Sequence, residues 1–195
     1  MAACICRWIT TLHSAVELLI LQHPLEVDNA KGSARLLHLS IAGSILMQGE
    51  VFDRDELGKV LSAGGRQSVL LYPDTPGNRL CATPPAFDAA LHSGLDALRL
   101  VVLDGTWRKS RKMLYQNPVL QTLPRLPLVQ MPASHYLIRK AHAPDQLSTL
   151  EASCYALGQL HGDAALFLPL LHAFDGFVAH FQHTGGKLDA LPNRA

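Results

Sequence analysis

The sequence predicts an α/β fold, a mainly parallel sheet flanked by helices, and three observations carry that prediction. Short apolar runs alternate along the chain with stretches of helical periodicity, the pattern of βαβ units. Val16–Gln22, Ser68–Tyr72 and Leu98–Leu103 are apolar almost throughout rather than alternating, as strands covered on both faces are. The 195 residues are 48% hydrophobic and 17% charged, enough to bury one sizeable core, which excludes a disordered tail.

Each element has its own local reason. Val16–Gln22 reads as a strand stopped at His23-Pro24, because proline donates nothing to a ladder. Ala30–Ile41 sets Ala34, Leu37 and Ile41 at helical spacing. Asp53 with Glu56 three residues on is a capping-box pattern, and Gly64-Gly65 should end the helix it opens. Ser68–Tyr72 is a short buried strand broken by Pro73-Asp74, and a Pro/Gly-rich loop follows to Pro85. Ala86–Gly94 reads as a helix, Leu98–Leu103 as a buried strand, and Arg108–Gln116 as a helix with its cations outward.

Pro118 to Pro132 reads as loop, with room for a short strand at Leu128–Met131, and His135–Arg139 alternates like another. Ser148 with Glu151 repeats the capping pattern for a helix to Leu160. In Leu166–His183, the residues Phe167, Leu170, Leu171, Phe174, Phe177 and Phe181 form an apolar stripe that reads as core.

Composition narrows the function classes. A net charge of +1 does not mark a nucleic-acid binder; a local basic stripe is needed for that. Four cysteines, including Cys4 and Cys6, make no secreted disulfide scaffold. The N-terminus lacks the pattern of a secretory leader. Ala164–Phe174 is too short for a membrane span and carries Pro169 and His172. The expectation is a soluble cytoplasmic protein.

The most informative stretch is Asp104-Gly105-Thr106-Trp107, followed by Arg108, Lys109, Arg111 and Lys112. Ligands of open α/β sheets bind at the carboxyl ends of strands, where the buried run ending at Leu103 delivers these residues. A carboxylate, a hydroxyl and an indole beside four cations suit chemistry on something anionic. Asp104 reads either as a proton acceptor or as a helix N-cap. Thr106 either hydrogen-bonds a substrate or caps. Trp107 either stacks on a base or packs the helix on the sheet. The four bases read as phosphate contacts or as a solvated helix face.

Further segments stand in order around this one: His23-Pro24-Leu25-Glu26, Tyr72-Pro73, Ser134-His135-Tyr136-Leu137-Ile138-Arg139-Lys140 and Leu147-Ser148-Thr149-Leu150-Glu151-Ala152. Together they make the chain, from about Cys4 to about residue 165, resemble the DTW-domain family. Its characterised members are tRNA-uridine aminocarboxypropyltransferases. The resemblance implies one domain over residues 1–195, a fold similar to the SPOUT class with a C-terminal trefoil knot, and tRNA as partner. It implies S-adenosylmethionine (SAM) as donor of a 3-amino-3-carboxypropyl group to uridine N3, with methylthioadenosine as the other product.

On that resemblance Asp104, Thr106 and Trp107 are the expected catalytic residues, and Arg108, Lys109, Arg111 and Lys112 the RNA contacts. Leu70, Leu71, Tyr72 and Leu103 would line the adenine slot. Arg139 and Lys140 would hold the donor's carboxylate or a phosphate, or else protect a strand edge. Ser134 is a further donor-binding candidate, Tyr136 is one or a core residue, and Ser148 and Thr149 would offer helix-start N–H groups. Glu151 reads as completing the capping box. His23 and Glu26 read as surface or packing residues, or as contacts to RNA or donor.

Family members often begin with C-x-x-C followed by C-x-C, a zinc pattern. Only Cys4-Ile5-Cys6 stands here, so residues 1–14 read as a remnant of a cysteine-containing segment. A closed zinc site needs four ligands, and no metal is expected. Cys81 and Cys154 show no metal spacing. Three alternatives stay open: a SAM-dependent RNA methyltransferase of similar fold, an RNA-binding module without catalysis, and the same chemistry on ribosomal RNA or another uridine.

Overall fold

The computed structural model describes residues 5–29, 32–73, 84–85, 87, 94–128 and 147–183. Five strands, β1 (Glu17–Gln22), β2 (Ile45–Gln48), β3 (Gln67–Leu71), β4 (Leu98–Asp104) and β5 (Arg125–Leu126), form one sheet in the order β2-β1-β4-β3-β5. All four neighbouring pairs are parallel, so every strand ends at the same edge. The helices are α1 (Ser33–Ser40), α2 (Arg54–Ser62), α3 (Trp107–Gln116), α4 (Pro118–Gln121), α5 (Thr149–His161) and α6 (Leu168–His183).

Alternate side chains of the central strands serve two cores. Leu18 and Ile20 of β1 and Leu100 and Val102 of β4 pack with α1, α5 and α6. Leu19 and Leu21 with Val101 and Leu103 pack with α2, α3 and α4. Burial on both faces is why these strands read as unbroken apolar runs. Arg99 is the exception inside β4. Its guanidinium is buried against its register partner Glu17 and the Ala63 carbonyl, at the edge opposite the strand ends.

The structure adds three elements to the reading. β2 was not anticipated: it is a short edge strand, only partly buried, and exists by pairing with β1. α4 begins at Pro118, inside a stretch read as loop, because proline at the first helical position gives up only an N–H without a partner. β5 stands inside the same stretch read as loop, ahead of the strand expected at Leu128–Met131, with Leu70 N–H donating to the Pro124 carbonyl at 2.8 Å. Residues 129–131, most of the expected helix Ala86–Gly94 and the expected strand His135–Arg139 lie outside the described residues.

The apolar C-terminal stretch is longer than the sequence reading allowed. Helical residues Ala164–Phe181, mean hydropathy 1.4, are long and apolar enough to cross a membrane by length and composition. Here Phe167, Leu170, Phe174, Phe177 and Phe181 are buried in the core on the α1/α5 side. Gly176 lets this helix meet the N-terminal segment, since a Cβ there would run into the Trp8 ring.

At the C-terminal end of α5, Ser14 Oγ donates to the Val16 carbonyl at 2.7 Å and stands 3.1 Å from His161 Nε2. The hydroxyl proton is thus committed, so His161 Nε2–H is the donor to Ser14 and the pair is no activated nucleophile. Burial lowers the pKa of His161 from its ordinary 6.5. The unfolded chain therefore takes up that proton first as pH falls. This contribution to stability should be full above about pH 6.5 and shrink on acidification. Urea melts at pH 7.5 and 5.5 check it: His161→Gln should narrow the difference between the two, and an unchanged difference would refute it.

Candidate active site

β1 and β4 lie side by side in the middle of the sheet, yet the helices that follow them leave to opposite faces, α1 to one and α3 to the other. Such a reversal opens a crevice at the carboxyl ends. Gln22 and Asp104, the last residues of the two strands, are register partners there. The ladder runs on past them: His23 N–H donates to the Asp104 carbonyl at 2.9 Å, and Gly49 N–H to the Gln22 carbonyl at 3.0 Å.

The Asp104 side chain is buried at 6% exposure and gathers three segments. Gln22 Nε2 donates to Oδ2 at 2.9 Å, and Thr149 Oγ1, from the first turn of α5, donates to Oδ1 at 2.7 Å. Thr149 is held in place by a complete capping box. Glu151 N–H donates to Ser148 Oγ at 3.2 Å, and Ser148 N–H to Glu151 Oε2 at 2.7 Å. Leu150 N–H points to Ser33 Oγ at 3.4 Å. Three N–H groups around this helix start therefore already have partners within the chain.

Asp104 is not the cap of α3. Thr106 is, its Oγ1 accepting from Lys109 N–H at 3.3 Å. Gly105 permits the tight turn between them, since a Cβ there would come within 3.0 Å of Lys109 Cβ. Trp107 is 54% exposed and meets Tyr72 edge-on, ring centroids 5.8 Å apart. Its packing is confined to that edge contact among the ring pairs of the described residues. Tyr72 is buried and also carries the Arg125 guanidinium over its ring at 5.4 Å. Leu70 and Leu103 are buried on the same face as Tyr72, and Leu71 turns to the other core.

The four bases of α3 sort into two pairs. Lys109 Nζ binds Glu26 Oε1 at 2.8 Å, and Asn29 Nδ2 holds the other oxygen of Glu26 at 3.1 Å. Lys112 Nζ binds Glu50 Oε1 at 2.8 Å. Glu50 also takes His23 Nε2–H at 2.8 Å, the tautomer fixed by Leu25 N–H donating to His23 Nδ1. These hydrogen bonds, Lys112 first and His23 second, lower the pKa of Glu50. Arg108 and Arg111 are exposed, one turn apart, and have no acidic partner among the described residues.

Sequence reasoning therefore placed Asp104, Thr106 and Trp107 at one strand end, and the structure brings Thr149 of the helix start onto Asp104. It missed Gln22 and Glu50. Gln22 was read as the last residue of a strand, and nothing in the spacing of Glu50 ties it to His23 or Lys112. His23 and Glu26 turn out to fasten the loop after β1, directly or through Glu50, to α3. Ser134, Tyr136, Arg139, Lys140, Cys4 and Cys81 lie outside the described residues. No group of three His, Cys, Asp or Glu side chains able to hold a metal occurs among the described residues. A pocket of about 350 Å³, lined by Phe52, Leu57, Asn117 and Val119 among others, contains none of the residues around Asp104.

The chain matches the DTW domain over residues 1–182. It belongs to the DTW-domain family. Three proteins similar to this DTW-domain chain are named tRNA-uridine aminocarboxypropyltransferase 2. The one from Drosophila melanogaster is 28% identical over 150 residues, 74% of this chain and 56% of that protein. The one from Macaca fascicularis is 27% identical over 164 residues, 80% of this chain and 52% of that protein. The one from Mus musculus is 27% identical over 192 residues, 95% of this chain and 62% of that protein. The DTW-domain chain thus spans roughly half to three-fifths of the length of the curated relatives it matches. No solved structure matches it.

Proposed function

We propose that this protein transfers the 3-amino-3-carboxypropyl group of SAM to N3 of a uridine in tRNA, releasing methylthioadenosine. The observation that carries the reading is the Asp104 carboxylate, pinned by Gln22 and Thr149 at the β1/β4 crevice of a DTW-domain chain. The names of the similar proteins supply the reaction class.

The residues suit such a donor and acceptor. Asp104 offers a buried carboxylate to a cationic sulfonium, Tyr72 and Leu103 an apolar strand end, and Trp107 an open ring surface on which a base can stack. Asp104 accepts the N3 proton as the N3 lone pair closes on the γ-carbon of the donor's methionine portion. The electrons of the breaking carbon–sulfur bond return to sulfur, leaving a neutral thioether. One positive sulfonium and one carboxylate thereby become a neutral thioether and a carboxylic acid, which later yields its proton to water. A site shielded from solvent favours that loss of charge, and alignment of the γ-carbon with N3 supplies much of the rate. Proton transfer during bond formation spares the weakly basic carboxylate from having to form a free imide anion.

The test is the product. Purified protein, SAM and unmodified tRNA should yield methylthioadenosine and aminocarboxypropyl-uridine in equal amounts. S-Adenosylhomocysteine with a methylated nucleoside would overturn the reading in favour of methylation, and tRNA binding without either product would favour a binding module.

A further inference from the structure

We infer that Gln22 and Thr149 are positioning residues that fix the plane of the Asp104 carboxylate for proton transfer. The inference rests on the proposed transfer reaction and gives Thr149 a different task from holding the donor.

Among the described residues, Gln22 donates to Oδ2 at 2.9 Å and Thr149 to Oδ1 at 2.7 Å. The donors come from different elements, β1 and α5, so rotation of the carboxylate about its last bond breaks both contacts. Both donors are neutral. They orient the group without cancelling the charge that draws a proton, as a lysine or arginine in either place would.

Nothing in the backbone asks for an amide at position 22, because the ladder beyond β1 is carried by His23 N–H and the Gln22 carbonyl. The side chain is nevertheless buried, at 4% exposure, and meets Asp104. Thr149 has one hydroxyl proton and gives it to Asp104. The residue that completes the capping box is its neighbour Ser148, so the Thr149 hydroxyl is not required for the helix start.

Among the described residues, the ionisable neighbours on the surrounding elements have partners of their own. Lys109 is on Glu26, His23 and Lys112 are on Glu50, Glu151 is on Ser148 N–H, and Tyr72 lies between Trp107 and Arg125.

The experiment is the pH profile of kcat/KM for SAM and tRNA, measured on the full chain alongside SAM affinity and thermal melts. Gln22→Glu is nearly isosteric and sets a second carboxylate beside the first; two such groups share a proton. Its acid limb should move to higher pH by about one unit or more. Thr149→Val should lower kcat by about tenfold or more with SAM affinity kept, and Thr149→Ser should restore it, since positioned acid–base groups contribute about 10²–10⁴-fold. An acid limb of Gln22→Glu identical to wild type overturns the inference, as does Thr149→Val that loses SAM affinity while keeping kcat. Wild-type protein that releases no methylthioadenosine overturns the transfer reading itself, a result distinct from an active wild type with indifferent variants.

Discussion

Asp104→Asn should lower kcat for the proposed aminocarboxypropyl transfer by about 10²–10⁴-fold, the range for loss of a positioned proton acceptor, with tRNA affinity near wild type. Asparagine is the informative replacement because the surroundings tolerate it. Gln22 keeps donating to the remaining oxygen, and the Thr149 hydroxyl turns to accept from the new amide, so both of these contacts have a counterpart in the variant. Stability should change by less than about 1 kcal/mol. Asp104→Ala, in contrast, strands the buried Gln22 amide and should cost about 1–3 kcal/mol. Single-turnover assays with equilibrium melts separate the two effects. Asp104→Asn within about threefold of wild-type kcat would mean that the carboxylate only ties strand ends together, since far larger losses accompany removal of an acid–base group.

Why Asp104 was legible in the sequence, and its clamp was not, follows from where the information lies. A strand buried on both faces announces itself as an apolar run, and its end announces the site; β4 and Asp104 are read this way. Capping is also local. Asp53 accepts from Asp55 and Glu56 N–H, and the Ser148–Glu151 box is complete, as the spacing of those residues indicates. Gln22 lies 82 residues and Thr149 45 residues from Asp104. Their meeting depends on the order β2-β1-β4-β3-β5, which no local pattern encodes. β2 was invisible for the same reason, because Ile45-Leu46-Met47-Gln48 becomes a strand only through its pairing with β1. Packing also shows what two of the candidate side chains do within the fold: Thr106 caps α3, and Trp107 stands more than half exposed.

The same sorting bears on the α3 cations, whose run of four looked uniform in the sequence. If the chain binds tRNA as proposed, each cation that neutralises a phosphate steepens the fall of log K with log salt by about 0.7–0.9. Arg108→Ala and Arg111→Ala should each reduce that slope by nearly one, and the double variant by nearly two. Lys109→Ala should leave the slope almost unchanged. Its ammonium already compensates Glu26, whose side chain is only 7% exposed, and moving it to a phosphate would take that ion pair from a buried carboxylate. The cost of Lys109→Ala should appear in stability instead, at about 1–3 kcal/mol. Lys112 is 56% exposed and linked to Glu50, so its removal also uncovers a carboxylate beside His23, and Lys112→Gln with Glu50→Gln should leave the slope at the wild-type value. Filter binding between 50 and 200 mM salt, a range over which phosphate contacts change affinity strongly, measures all of these on one RNA. A Lys109→Ala slope equal to that of Arg111→Ala would show that RNA draws the lysine away from Glu26, and that the loop after β1 is released from α3 on binding.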